Sequence, residues 1–248
     1  MIINSYAFAP IGPSYDSLIL ALSPWGYWKL DENSMSAGGS AVDASGNARH
    51  GTYSPSPPTS VAGLFGSSPR AGTFNGANND VGIPSYTLAA SQKFSIVSFM
   101  QTSYASATAK HILSGDIAGS QRWQFRISSG KIQFITITPS VTTTAGGTTV
   151  SDNLPHMVAV VFDPTLAAGA GRVKIYVDGV VDTNVGANPN PSTSAITISA
   201  GSVAPGIGAR NASTHQENWA GPLDNVALFD TDISAANIAA LWAARNNT

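Results

Sequence analysis

The chain has 248 residues, no cysteine, and 12 Lys and Arg against 14 Asp and Glu, for a formal charge of −2. No disulfide framework and no cysteine-ligated zinc can form, and the lack of a basic run excludes a groove that tracks nucleic-acid phosphates. Charged residues make up 10% of the sequence, against about 25% in an ordinary soluble domain, so the solvent face must rely on Ser, Thr, Asn, Gln and Gly, a surface suited to packed assemblies and to contact with sugars.

Residues 1–13 show no periodicity and end in Pro10 and Gly12-Pro13. They read equally as an extended arm able to lie on a neighbouring subunit and as a frayed terminus, with residues 14–248 as one domain. Lys29 is the first basic residue, so no secretory leader is readable, and the apolar run Leu18 to Leu22 is too short to cross a bilayer. Ser14 caps a predicted short helix to Leu22, with Tyr15, Leu18, Ile19 and Leu22 on one face, and Pro24 stops it. Residues 27–31 alternate as a first strand that buries Trp28 and Leu30. Residues 33–72, rich in Gly, Ser and Pro, predict a long surface excursion with little regular structure. Two strands are expected within 73–102 and three more in 111–114 and 122–137, with Gly130 at a turn. Thr142 to Val150 predicts a hairpin.

The clearest stretch is His156 to Asp178. Val158, Val160 and Phe162, then Val173, Ile175 and Val177, alternate at period two on either side of the small-residue loop LAAGAG. This predicts an antiparallel pair with one buried face, closed by the tight turn Asp178-Gly179. Asn188 to Pro191 must be a loop, Leu223 to Phe229 a last strand, and Ser234 the cap of a final helix to about Arg245 that buries Ile233, Ile238, Leu241 and Trp242. The grammar is all-β: a two-sheet antiparallel sandwich with two short helices near the termini.

Seven further segments share a pattern in the same order: PWGYWKLDE (24–32), DASGNARHGTY (43–53), FNGANNDVGIP (74–84), FSIVSFMQT (94–102), WQFRISSGKIQF (123–134), PGIGAR (205–210) and GPLDNVALFDTDISAANIAALW (221–242). With the KIYVDG strand and turn, they resemble the laminin-G-like branch of the concanavalin A-like jelly rolls across residues 15–244. The resemblance implies a jelly-roll sandwich that hosts lectins, hydrolases or structural modules. It also implies one structural calcium ion, because DASGNARHG looks like a segment used that way: Asp43 would give a carboxylate, Asn47 and the His50 carbonyl further oxygens, and Asp224 would close the shell. Asp43-x-Ser45-Gly46-Asn47 equally reads as an Asx-type turn that satisfies its own backbone. The opening MIINSYAFAP is similar to the starts of tailed-phage virion proteins, which implies a place on the virion, with other virion proteins as partners through the arm and a symmetric homo-oligomer, a trimer among the options.

Catalysis finds no carrier. Jelly-roll glucanases set paired carboxylates at alternate positions of one strand, whereas Glu32 and Glu217, the two glutamates, stand in unrelated segments. Asp230 and Asp232 are expected at a helix start, where they favour the macrodipole. No Ser sits in a Gly-x-Ser-x-Gly elbow, Ser114-Gly115-Asp116 reads as a turn, and His156 is expected to be structural. The chain is therefore expected to be non-enzymatic. Tyr53, Tyr86, Tyr104, Trp123 and Trp219 are the aromatics nearest loops. Trp219 has the most polar neighbours, so Trp219, Asn218 and Tyr104 are the candidate sugar contacts, with packing at a sheet edge as the alternative for Trp219. Two functions follow: a virion structural or decoration protein that displays a lectin-like sandwich, or a carbohydrate-binding receptor module.

Overall fold

The computed structural model describes residues 12–89, 91–117, 121–136, 140–198, 200–210 and 216–248, so nearly all of the expected arm lies outside the described residues. In chain order the elements are α1 (Tyr15–Ala21), β1 (Gly26–Trp28), β2 (Ser40–Ala41), β3 (Gly51–Tyr53), β4 (Thr59–Ala62), β5 (Arg70–Asn75), β6 (Val81–Gly82), β7 (Tyr86–Leu88), β8 (Phe94–Met100) and β9 (Lys110–Ile117). There follow β10 (Gln121–Ser128), β11 (Lys131–Thr136), β12 (Thr142–Ala145), β13 (His156–Phe162), β14 (Val173–Val177), β15 (Val180–Val181), β16 (Gly201–Val203), β17 (Gly206–Ile207), β18 (Ala220–Phe229) and α2 (Ala235–Ala243).

Two eight-stranded antiparallel sheets form the sandwich. The first runs β15-β14-β13-β8-β18-β5-β4, with β1 also on β18; the second runs β12-β11-β10-β9-β17-β6-β3-β2. Their facing sides build one core from Phe94, Ile96, Val160, Phe162 and Leu228 on the first sheet and Trp123, Phe125, Ile127 and Phe134 on the second. The outer side of the first sheet carries a second apolar layer, in which Val97, Phe99, Met157, Ala159 and Phe229 pack under Tyr15 and Ile19 of α1 and Ile238 and Leu241 of α2. A strand apolar on both faces reads as a continuous run, and β8 and β13, FSIVSFM and HMVAVVF, are buried nearly end to end.

The local signals account for the rest. Ser14 and Ser234 cap α1 and α2 by accepting from the amides of Ser17 and Asn237, which satisfies a donor that the helix start leaves free. β13 and β14 pair with Val160 opposite Ile175 and Phe162 opposite Val173. Asp178 and Gly179 turn with φ of 50° and 83°, the two positive values that a two-residue hairpin turn needs.

Four expectations change. Residues 33–72 hold β2, β3, β4 and the start of β5; these are short pieces near sheet margins, where Gly- and Pro-rich sequence still pairs. The first strand stops at Trp28, because Leu30 turns to φ 56°. Thr142 to Val150 gives one strand, since Gly146 and Gly147 press their backbone on Asp182 and Thr183, where a Cβ would collide. Asp230 and Asp232 do not open α2: Asp230 accepts the Tyr86 hydroxyl at 2.7 Å, and Asp232 pairs with Lys93 at 3.0 Å.

Candidate functional site

Among the described residues no helix lies over the outer side of the second sheet, which carries a polar network. On β10 and β11 the apolar residues Trp123, Phe125, Ile127, Ile132 and Phe134 face inward, leaving Gln124, Arg126 and Gln133 outside. Arg126 donates to Gln133 at 3.1 Å and to Gln124 at 3.2 Å, and Gln124 donates to Asp116 at 3.0 Å. Arg210 pairs with Asp116 and lies 3.8 Å from Glu217.

Beneath this network stands a chain that resembles a catalytic triad. The Ser114 hydroxyl meets His111 Nδ1 at 2.7 Å, and His111 Nε2 meets Glu217 Oε2 at 2.7 Å. Sequence reasoning missed it and placed Ser114-Gly115-Asp116 in a turn; all three lie on β9. His111 and Ser114 are three apart, so a regular strand would send them to opposite faces. The register shift opposite Phe125 and Arg126 inserts the extra residue that brings them together. Burial lowers the His111 pKa, so the ring is neutral: it donates through Nε2 to Glu217 and accepts the Ser114 hydroxyl at Nδ1. That hydrogen bond from His111 in turn lowers the Glu217 pKa. Both His111 and Ser114 are 0% exposed. No substrate carbonyl can approach the hydroxyl, and the chain is a satisfied structural relay.

The four predicted calcium ligands do not form a cation site. Asp43 accepts four donors: the amides of Tyr27 (2.9 Å), Ser45 (2.9 Å) and Arg49 (2.8 Å) and the Ser45 hydroxyl (2.8 Å). Burial pushes its pKa up, but these hydrogen bonds outweigh burial and hold it below the usual carboxylate value. Asn47 turns its amide nitrogen to the Pro24 and Trp25 carbonyls, at 3.0 and 3.3 Å. His50 accepts the Asp43 amide on its ring Nδ1 at 3.1 Å. A cation at Asp43 would face hydrogens, and the segment is the self-satisfying turn. Asp224 lies elsewhere, on the outer side of the first sheet, fully buried, with Oδ2 accepting the Leu64 amide at 3.1 Å. Burial pushes its pKa up to about 8. Tyr27 donates to Asp16, itself paired with Lys29 at 2.9 Å, and contacts Asn225, which meets Asp224 Oδ1 at 2.8 Å. The Asn225 amide nitrogen donates to Asp224 Oδ1, and its oxygen accepts the Tyr27 hydroxyl. Among the described residues, no three His, Asp or Glu side chains converge as metal ligands.

Two of the three candidate sugar contacts are core. Trp219 is 0% exposed, with its indole N–H on the Pro222 carbonyl at 3.4 Å. Asn218 is buried and donates to the Asn79 carbonyl at 2.9 Å. Both fail for one reason: the strand that starts at Ala220 draws the preceding residues into the sandwich. Tyr104 is different. It is half-buried against the core and lines a surface cavity of about 440 Å³ where the loop after β8 meets the start of β18.

Gln101, Thr102, Ser103, Ser106 and Asn153 complete the polar wall of that cavity, and Ala220 to Pro222 form its apolar side. The wall is internally braced. Thr102 donates to the Ala220 carbonyl at 2.7 Å and accepts the Tyr104 amide at 3.0 Å; Gln101 reaches the Asn153 carbonyl at 2.7 Å, and Asn153 N–H donates to the Thr102 carbonyl at 3.0 Å. Gly221, at φ 124°, packs so tightly on the Gln101 carbonyl that a Cβ would collide. Lys110 holds its ammonium 5.4 Å from the Tyr104 ring centre while donating to the Gly76 carbonyl at 2.7 Å. Among the described residues, no carboxylate lines this cavity. Hydroxyls, amides and one aromatic ring suit an uncharged polyhydroxylated ligand and supply neither acid nor base. Thr102-Ser103-Tyr104, polar and aromatic just past an apolar strand, is the sequence signal for it; the part of Asn153, fifty residues on, is not readable from sequence.

Comparisons with known proteins agree with this geometry at the level of fold. Domain 4 of the extracellular arabinanase AbnA of Geobacillus stearothermophilus, solved with arabinotriose, superposes at TM-score 0.61 with 14% identity, over 88% of this chain and 98% of that one. The botulinum neurotoxin serotype D ligand-binding domain, solved with N-acetylneuraminic acid, gives TM-score 0.63 and 13% identity over 93% of this chain. The binding domain of Paraclostridial Mosquitocidal Protein 1 gives 0.59 and 11% over 90%. The chain matches about half the length of the two toxin binding domains, at 52% each. No curated protein sequence matches the chain. The model of the concanavalin A-like lectin/glucanase superfamily, in its laminin-G form, matches residues 75–239, two thirds of the sequence, and the chain belongs to that family.

Proposed function

We propose that the chain is a non-catalytic carbohydrate-binding module that seats a neutral sugar in the cavity beside Tyr104. The observation that carries this reading is a braced rim cavity that offers one half-buried aromatic ring and a wall of hydroxyls and amides, with no carboxylate among the described residues. An aromatic face and short polar side chains at fixed positions are what a sugar ring needs on its apolar and polar edges. The sugars present in the arabinanase domain and in the toxin domain support the ligand class. Binding of a glycan on an array of plant, bacterial and sialylated sugars, confirmed by calorimetry and lost in Tyr104→Ala, tests it. An array that stays empty at high protein concentration overturns it.

The place of display is part of the proposal: the surface of a virus particle. The sparse charge and the apolar opening segment support it. Recovery of the chain from purified particles, exposed to antibody, is the expected result; its absence from washed particles contradicts it.

A further inference from the structure

Residues 151–155 lead into β13 and join two features. Asn153 lines the Tyr104 cavity: its N–H donates to the Thr102 carbonyl at 3.0 Å, and its own carbonyl accepts the Gln101 side-chain amide at 2.7 Å. Asn153 stands at φ 63°, in the left-handed region that asparagine tolerates. Three residues on, His156 begins β13 with both ring nitrogens on carboxylates. Nδ1 meets Asp178 Oδ2 at 2.8 Å, and Nε2 meets Asp152 Oδ1 at 3.2 Å and Oδ2 at 3.4 Å. Asp152 also braces its own loop by accepting the Leu154 amide at 2.9 Å. β8, paired with β13, sets the uncharged Met100 opposite His156. Among the described residues, Asp152 and Asp178 are the charged groups that bear on the ring.

We propose that His156 is a pH-sensitive positioning residue for the Tyr104 cavity: as an imidazolium it ties the 151–155 loop to the turn after β14 and so holds Asn153 in the cavity wall, and loss of that proton slackens the wall and weakens sugar binding there. The last step rests on the sugar-binding reading of the cavity; the coupling of ring to wall does not. A neutral imidazole has one N–H and one lone pair, so it serves one of these carboxylates and turns its lone pair on the other. Only the doubly protonated ring donates to both. The two partners are not equivalent. Asp178 is fixed, since its other oxygen accepts the Met157 amide of β13 at 3.0 Å, and it makes the shorter contact. The Asp152 side chain is 41% exposed and makes the longer one. On deprotonation Nδ1 keeps its hydrogen for Asp178, and the Asp152 contact is lost. Only Leu154 and Pro155 separate Asn153 from His156, and the fixed φ of proline leaves that link little slack. The bond to Asp178 raises the His156 pKa above its ordinary value, which moves the change toward neutral pH. The wall is therefore firm below the His156 value and slackens as pH rises through it; by linkage, sugar in the cavity raises that value.

NMR on the full chain without sugar reads the coupling first. The His156 ring is titrated from about pH 5 to about pH 9 alongside the Tyr104 backbone amide and the Gln101 side-chain amide. These touch the loop through the wall alone, Gln101 at the Asn153 carbonyl and Tyr104 through Thr102. Both are expected to move with the His156 midpoint and to stop moving in Asp152→Asn, which keeps an acceptor for Leu154 and can donate to a neutral ring. Wall signals that ignore the His156 titration would overturn the proposal, as would signals that move equally in Asp152→Asn. Calorimetry with the array-selected oligosaccharide then reads the consequence. Wild-type affinity is expected to fall about threefold across the His156 titration, the scale of one partly exposed ion pair. Saturating oligosaccharide should raise the His156 midpoint by about 0.5 pH unit, and Asp152→Asn should bind with one affinity throughout. A flat wild-type profile, with binding lost in Tyr104→Ala, overturns the proposal. A Tyr104→Ala protein that binds fully removes the sugar reading instead, and the amide titration alone then decides the coupling.

Discussion

The two outer faces of the sandwich are built from the same strand grammar and end in opposite conditions. On the first sheet, α1, α2 and Phe65 close over Val97, Phe99, Met157 and Phe229, and the polar groups caught beneath, Asp224 and Asn225 among them, are sealed from water. On the second sheet no helix among the described residues covers Arg126, Gln133, Arg210 and Glu217, which remain partly solvated. Coverage, rather than composition alone, decides whether a polar residue is a folding problem or a surface. The cavity beside Tyr104, the proposed sugar site, lies at neither face. It lies at the rim, where loops from both sheets can set hydroxyls and a ring without a layer above them.

Truncation should separate the faces most sharply. Phe99 is fully buried and packs on both Tyr15 and Phe65, with ring centres 4.7 Å away in each case. Phe99→Ala is expected to cost about 3–5 kcal/mol in urea unfolding, while Gln133→Ala on the open face should stay within about 0.5 kcal/mol. Equal losses would remove the distinction.

Protonation should sharpen it next. Asp224 keeps its proton to about pH 8 in the folded chain and loses it near pH 4 when unfolded. The folded state therefore holds more protons across that window. Stability is full below about pH 4 and falls as pH rises toward 8, by up to about 1.4 kcal/mol per unit. Asp224→Asn, which can still accept from Leu64 and has no proton to lose, should gain melting temperature relative to the wild type as pH rises from about 4 toward 8. Identical pH profiles for the two proteins would mean that the buried carboxyl is ionised.

The histidines give the smallest and most local contrast. Burial lowers the His111 pKa below its ordinary value, whereas the hydrogen bond to Asp178 raises that of His156. The contribution of His111 is therefore present above the unfolded value of about 6.5 and is lost as pH falls through its lowered folded one. The contribution of His156 is present below the unfolded value and is lost as pH rises through its raised folded one. Two ring resonances in a proton NMR titration, one moving at lower pH than an ordinary histidine and the other at higher pH, are the expected record.

Much of this architecture was legible in the chain. The caps at Ser14 and Ser234, the Asp178-Gly179 turn and the unbroken apolar runs of β8 and β13 are local signals with a single physical outcome. The sites were harder because polar residues advertise themselves equally whether free or satisfied. Trp219 looked like a platform because Gln216, Glu217 and Asn218 precede it, yet Glu217 is held by His111 and Asn218 by Asn79. Asp43 looked like a ligand, yet its own turn fills it. His111 and Ser114 were hidden by one extra residue in a strand. Tyr104 was visible, but the wall around it gathers Gln101, Asn153 and Gly221 from three stretches that only the closed sandwich brings together.

The central claim is that sugar binding resides at the Tyr104 rim and not at Trp219. Titration of one array-selected oligosaccharide into the wild type, Tyr104→Ala and Trp219→Phe by calorimetry tests it directly. The account predicts that Tyr104→Ala loses at least tenfold in affinity, about 1.4 kcal/mol, with its melting temperature nearly unchanged, and that Trp219→Phe melts earlier yet binds normally while folded. Full affinity in a folded Tyr104→Ala protein would contradict it.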